Sequence, residues 1–308
     1  MLSIIVLAGG KAERFQRKME PWVDKLLYRV EGESIIRRVL KAALAVSDDV
    51  IISTDSEQRG VTYANEVRDI GEVKISVDIT ELGCDGPLLG ITSSINHVKG
   101  DYICVIAGDL PFITSHVIEN LMNYADRADV VTPYWGDGSV ESLIFIANKS
   151  KLELYSKFLC IHGFWRSSGI QRISLKTLYV PANRLTDDVR VFLDVNYRDD
   201  LNRETIVPKI AEKELLITFN SDLDMGYDEA FSIGHFFLAA IKLFRERSLD
   251  LKLRSIKAFE QEARFYMKHG LKVFASQALF DASKVLNMLG FSSLARSYYR
   301  KAFEISKT

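Results

Sequence analysis

Two short runs without a polar residue, Ile4-Ile5-Val6-Leu7 and Ile103-Cys104-Val105-Ile106-Ala107, constrain this 308-residue chain most. A strand that alternates apolar and polar residues can leave one face in water, whereas one that is apolar throughout must be covered on both faces. Such runs alternate with amphipathic stretches up to about residue 205, the pattern of β-α-β units. The expectation is an α/β domain with helices on both faces of a mostly parallel sheet. Strands are expected at 3–7, 50–53, 74–77, 102–107, 129–132, 143–147, 178–180 and 191–194, and helices at 34–45, 87–97, 114–125 and 168–174. In sheets of this kind ligands sit at the carboxyl ends of the strands.

After Asn202 the pattern changes. Residues 206–227 read as a linker or docking segment, and from Asp228 to Thr308 the chain reads as four helices. Leu271, Phe274, Ala275, Leu279 and Ala282 match Phe291, Leu294, Ala295, Tyr299 and Ala302 at a constant offset of 20. This spacing predicts a TPR-like helical bundle, although the 34-residue period of tetratricopeptide arrays is absent. These positions read as bundle core rather than as a peptide groove.

Charge supports the division into 1–205 and 228–308. The last 81 residues carry 14 Lys and Arg against 8 Asp and Glu (+6), and residues 1–227 carry 26 against 33 (−7). Two units with different surfaces are expected, the basic bundle docking on its own acidic domain, on a second copy or on a protein partner. Nucleic acid is disfavoured, because the aromatic residues Phe259, Phe265, Tyr266, Phe274, Phe280, Tyr298 and Tyr299 fall at helical spacing, as core residues do. No apolar stretch approaches the roughly 20 residues that span a bilayer, and the first residues lack a basic leader, so a cytoplasmic protein is expected. Cys84, Cys104 and Cys160 are odd in number and widely spaced. They are expected to be reduced thiols, with Cys104 in the core.

The chemistry gathers at the ends of the expected strands. The first run turns through Leu7-Ala8-Gly9-Gly10 into Lys11-Ala12-Glu13-Arg14, with Asp24-Lys25 further on. Glycines let main-chain N–H groups approach phosphate oxygens, and Arg14 and Lys25 would neutralise them, so a nucleoside triphosphate is the inferred ligand. A plain strand-to-helix turn also accommodates two glycines. Asp85-Gly86-Pro87-Leu88-Leu89-Gly90 places Pro87 in a first helical turn, where a flat ligand could approach the backbone or the helix could simply pack on the sheet. Gly108-Asp109-Leu110-Pro111 ends a buried strand in a carboxylate suited to Mg²⁺. Asp194 and Asn196, two apart, fall on one side of a strand or its end and offer further oxygen ligands or an Asx turn. The histidines His97, His116, His162, His235 and His269 show no triad or metal spacing.

With Leu7 to Gly10, Arg14, Asp24-Lys25, Gly86 to Gly90, Gly108 to Phe112 and Asp194-Val195-Asn196 in that order, the chain over residues 1–205 resembles the molybdenum-cofactor nucleotidyltransferases. The resemblance is nearest to the guanylyltransferases that make molybdopterin guanine dinucleotide. It implies a Rossmann-like fold shared with sugar-nucleotide transferases and GMP transfer from GTP to a molybdopterin phosphate. It also implies nucleotide contacts at Leu7, Ala8, Gly9 and Gly10, and Lys25 on the triphosphate. Asp78, Gly86, Pro87 and Gly90 would lie around base and ribose, Asp109 on Mg²⁺, and Asp194 with Asn196 on the metal or acceptor side. Cytidylyl transfer, transfer to a sugar phosphate, and a non-catalytic adaptor are the alternatives. Residues 15–23 form a longer loop than the family pattern, Glu141-Ser142-Leu143 replaces a Gln/His-Pro-Leu element, Asp194 stands where Asn is usual, and residues 228–308 lie outside the pattern.

Overall fold

The computed structural model describes residues 1–16, 20–164, 166–202 and 208–307. Arg17, Lys18 and Met19 of the long loop lie outside the described residues, as does the expected domain boundary at 205. Among the described residues the strands are β1 (Leu2–Leu7), β2 (Arg29–Val30), β3 (Glu33–Ser34), β4 (Val50–Thr54), β5 (Lys74–Val77), β6 (Tyr102–Ala107), β7 (Val130–Tyr134), β8 (Ile144–Asn148), β9 (Lys176–Pro181) and β10 (Leu215–Thr218). Eight of them form one sheet in the order β10-β9-β7-β8-β6-β1-β4-β5, and β2 and β3 form a separate hairpin. β5, β4, β1 and β6 run parallel, β8 lies antiparallel between β6 and β7, β9 is parallel to β7, and β10 is antiparallel at the edge. The sheet is thus mostly parallel, and its central strands β1, β4 and β6 are buried along nearly their whole length.

The helices are α1 (Ile35–Leu44), α2 (Glu57–Asn65), α3 (Gly86–Ser94), α4 (Ser115–Met122), α5 (Lys149–His162), α6 (Gly169–Ile173), α7 (Tyr227–Ser232), α8 (Phe236–Arg245), α9 (Leu249–Lys268), α10 (Lys272–Met288) and α11 (Ser292–Lys307). α1 and α4 bury Ile36, Val39, Val117 and Leu121 against Ile4, Val6 and Ile52 on one sheet face. α3 and α5 bury Leu88, Ile91, Tyr155 and Leu159 against Ile5, Ile51 and Val105 on the other, giving the three layers. α1 starts where the Ser34 hydroxyl accepts the Arg37 N–H, at 3.2 Å, and α5 ends at Gly163, whose φ of 76° closes the helix in the left-handed region.

The helical domain continues the second core. Phe237, Ile241 and Phe259 of α8 and α9 share a cluster with α3 and α5, and Tyr266, Leu271 and Phe274 pack with Tyr179 and Ile217 of β9 and β10. It therefore docks on its own sheet domain, but not through the charges expected. Arg172 of α6, on the sheet side, is buried between Glu262 of α9 and Asp281 of α10, donating at 2.7, 2.8 and 2.9 Å. At this junction the cation is on the acidic unit and the acids are on the basic one.

Several expectations change. Residues 191–194 form no strand: the Asp188 carboxylate accepts the Arg190 N–H at 3.0 Å and closes a 3-10 turn over Val189–Phe192. The 206–227 segment contributes β10 to the sheet, and the helical part has short α7 besides its four long helices. Cys84 and Cys160 are joined in a disulfide, while Cys104 is a free, buried core residue as expected. The fold brings the loop before α3 against the end of α5, a proximity that a separation of 76 residues does not announce. Of the offset pairs, every α10 member is buried, but on α11 only Ala295 and Ala302 are, because that helix packs on one side alone. Phe291, Leu294 and Tyr299 are exposed.

Candidate functional site

The pairings Leu7↔Ser53, Leu7↔Ala107 and Thr54↔Val77 bring the ends of four parallel strands level. Gly9 and Gly10 follow β1, Asp55 follows β4, Asp78 follows β5 and Asp109 follows β6. A cavity of about 590 Å³ opens over this edge, lined among others by Leu7, Gly9, Gly10, Arg14, Lys25, Asp78, Gly86, Pro87, Gly90, Asp109 and Asn196. Gly10 holds φ at 101°, where a side chain is disfavoured, and a Cβ on Gly90 would lie 2.6 Å from the Ser53 hydroxyl. Two expected site residues are not on the cavity wall: Asp194, and Ala8, which is buried in the core with its N–H donating to the Ser53 carbonyl at 2.7 Å.

Lys25 and Asp109, 84 residues apart, meet here. The Lys25 Nζ donates to Asp109 Oδ2 at 2.7 Å, with both side chains largely shielded. Lys25 opens a 3-10 turn whose cap is Asp24, which accepts the Leu26 N–H at 2.9 Å. Asp194 stands beside the pair, and Asn196 donates to its carboxylate at 2.6 Å. The Val195 N–H donates to the Asp109 carbonyl at 3.0 Å, which brings this late segment to the end of β6. Burial and the Asp109 charge hold the Asp194 carboxyl above its ordinary range. The two carboxylates of Asp109 and Asp194 beside this cavity form a donor set that fits Mg²⁺, which takes one or two carboxylates and completes its shell with phosphate oxygens and water. Among the described residues no three His, Cys, Asp or Glu side chains gather into an all-protein cage, which this mode of binding does not need.

The long loop is clasped at its base. The Gln16 side chain donates to the carbonyls of Ala12 and Val23, at 3.1 and 2.9 Å, and accepts the Val23 N–H at 2.9 Å. Beyond this clasp Trp22 is exposed, and Glu20 is ion-paired to Arg198 at 2.6 Å. Arg14 remains on the cavity wall.

The motif reading missed Asp55, Arg59 and Tyr63 and gave Glu141 no role, whereas Asp78 was expected beside base and ribose. Arg59 of α2 donates to the Gly10 carbonyl at 3.1 Å and to Asp55 at 2.8 Å, pinning the glycine loop. Tyr63, one turn on, donates to Asp24 at 2.7 Å, and burial raises its phenol well above the usual range. The Asp55, Arg59, Tyr63 spacing of four was the available signal. Glu141, noted only as a departure from the family pattern, accepts the Trp135 Nε1–H at 2.7 Å. Burial pushes its carboxyl up to about 7, Asp194 and Asp137 adding to the effect. Asp78 has a carboxylate oxygen that is buried without a hydrogen-bond partner, and burial together with Asp55 and Asp85 pushes its carboxyl up to about 6.

Residues 4–168 match the family described as the MobA-like NTP transferase domain, which is more than half of the chain. The chain belongs to this family. It is a nucleotidyltransferase, and the glycine loop, Lys25, Asp78 and Asp109 all fall within the matched MobA-like residues. A Clostridium perfringens protein named probable molybdenum cofactor guanylyltransferase is 31% identical over 157 residues, covering 51% of this chain and 71% of that protein. One of the same name from Methanosarcina mazei is 28% identical over 213 residues, covering 68% of this chain and 92% of that protein. Among solved structures, the molybdopterin-guanine dinucleotide biosynthesis protein A of Archaeoglobus fulgidus superposes with a TM-score of 0.52 at 20% identity. It covers 66% of this chain and 95% of that one, which establishes the MobA-like fold for the sheet domain. The helices after Gly226 lie outside the matched MobA-like residues. Among the described residues no helix is long and apolar enough to cross a membrane.

Proposed function

We propose that this protein transfers GMP from GTP to the phosphate of a molybdopterin-type acceptor in the cytoplasm, with release of pyrophosphate. The observation that carries the reading is the meeting of Lys25, Asp109, Asp194 and Asn196 beside the glycine loop. A phosphate oxygen of the acceptor attacks the α-phosphorus in line, the new P–O bond forms, and the bond to the β-phosphate oxygen breaks. Such a step asks the protein for positioning and charge compensation rather than for a nucleophile of its own. Lys25 and Arg14 compensate the leaving pyrophosphate, and the N–H groups of the Gly9-Gly10 turn orient it. Asp109 and Asp194 would hold Mg²⁺, which would supply positive charge to the transferring phosphates. Asn196 steadies Asp194 on the acceptor side. The orphaned oxygen of Asp78 supports guanine: a carboxylate can accept from the adjacent N1–H and N2–H of that base as a bidentate pair, which neither cytosine nor adenine offers. In the helical domain, Ala275, Ala282, Ala295 and Ala302 are buried where α10 and α11 meet, which supports a TPR-like pairing.

The test is calorimetric titration with GTP, CTP, ATP and UTP in the presence of Mg²⁺, with Lys25→Ala as control. Selective GTP binding that is lost in the variant is expected. Selective CTP binding would move the reading to a cytidylyltransferase, and binding of none would leave an adaptor.

A further inference from the structure

A second cavity, of about 440 Å³, lies between the sheet domain and the helical domain, within the roughly 300–1,000 Å³ of small-molecule sites. Its walls come from the start of α3, from Gly163, Phe164 and Arg166, from α6, and from α8 and α10 of the helical domain. Phe164, Phe237 and Phe244 make the interior aromatic: the Phe164 ring meets the other two edge-on, with centroids 5.8 and 6.0 Å apart. Arg172 at the back is already neutralised by Glu262 and Asp281. The mouth is different. Arg166 and Lys284 line it, both are exposed, and neither forms an ion pair among the described residues. Asp85 is the one exposed carboxylate of the lining, so Arg166 and Lys284 leave the rim net positive, and an apolar interior with such a rim fits a molecule with an apolar body and an anionic end.

This cavity shares Asp85, Gly86 and Pro87 with the nucleotide cavity, so the same turn forms a wall of each. The turn is tied into the second cavity covalently, since Cys84 precedes it and is bonded to Cys160, three residues before Gly163-Phe164. We propose that the helical domain creates an effector site for a flat, apolar small molecule bearing one anionic group, and that its occupancy is linked through Asp85–Pro87 to the affinity for nucleoside triphosphate. The site lies on the Gly86–Pro87 side of the nucleotide cavity, away from Asp194 and Asn196, and is distinct from the acceptor position. Linkage of this kind is reciprocal: each ligand shifts the other's affinity by the same factor.

The test titrates the full chain with naphthalene-2-sulfonate in the calorimeter, with and without saturating GTP and Mg²⁺, using uncharged naphthalene-2-methanol for comparison. One saturable equivalent is expected for the sulfonate, weakened at least tenfold by the surface variant Arg166→Glu/Lys284→Glu, which should leave the uncharged compound unaffected. The sulfonate affinity should also change at least threefold with GTP and Mg²⁺. Absent or non-saturating binding overturns the site, as does binding that the charge reversal leaves unchanged; the latter would point to the exposed apolar face of α11. An affinity indifferent to a nucleotide that does bind overturns the linkage. If no nucleoside triphosphate binds, the proposed function fails in its own titration, and the charge-reversal comparison still decides the site.

Discussion

Single side chains set the chemistry of this site and its response to pH. Lys25→Ala and Asp109→Ala are each expected to lower turnover by about a thousandfold, the first by removing a cation from the reacting phosphates and the second by removing a carboxylate that would hold Mg²⁺ there. Unfolding free energy should fall by about 1–3 kcal/mol, because each substitution leaves the other member of a largely shielded pair without its partner. Pyrophosphate release and urea unfolding measured on the same preparations check both statements. Glu141 carries the opposite signature. Its carboxyl is raised in the folded chain, so the protonated form is favoured, and that contribution is complete below about pH 4.5 and lost as pH rises through about 7. Glu141→Gln should therefore unfold at higher urea than the natural chain at pH 8, by about 2 kcal/mol, with the gap closing by pH 5. A constant gap across that range would sink the assignment. Lys25 and Asp109 were both legible in the sequence, since a lysine after Asp24 and a carboxylate held by Gly108 and Pro111 announce themselves. Their direct bond was not, because only the parallel pairing of β1 and β6 brings positions 84 residues apart together.

At the scale of elements, a small number of connections hold the site's walls. The turn before α3 is anchored by the Cys84–Cys160 bond, which closes a loop of 76 residues. Replacing both cysteines by serine should cost about 2–4 kcal/mol through the added freedom of the unfolded chain. Dithiothreitol should bring the natural chain to the same urea midpoint, and an unchanged midpoint in both experiments would show that the bond does not form in solution. Strands without polar alternation were readable to within a residue or two, because a strand buried on both faces tolerates no polar side chain. Helices α2 and α5 were missed, the first being short and polar and the second interrupted by lysines on its solvent side. The segment at 191–194 reads as a strand from its apolar run and is bent into a 3-10 turn by a side-chain cap, a local hydrogen bond that outweighs β propensity.

At the scale of the molecule, the two units share one core, and the interface hinges on a buried charge cluster. Arg172→Met would leave Glu262 and Asp281 buried without their cation, an expected loss of about 3–5 kcal/mol. Changing all three to apolar residues of similar volume should recover most of that loss, and a triple variant no more stable than the single one would contradict the argument. Removing residues 228–308 would expose the α3 and α5 side of the sheet that Phe237, Ile241 and Phe259 now cover, so residues 1–227 alone are expected to aggregate or melt at lower temperature. The sequence by itself determined the mostly parallel sheet, the helical tail and the gathering of glycines and acids at the carboxyl edge, because burial on both faces and glycine at a turn leave local signatures. Only the tertiary structure decided which loops close on one another: the Cys84–Cys160 bond, the Arg59 clamp on Gly10, the unpartnered oxygen of Asp78 and the cavity between the domains. Each depends on groups far apart in the chain, and long-range proximity is set by how the whole core packs rather than by any local pattern.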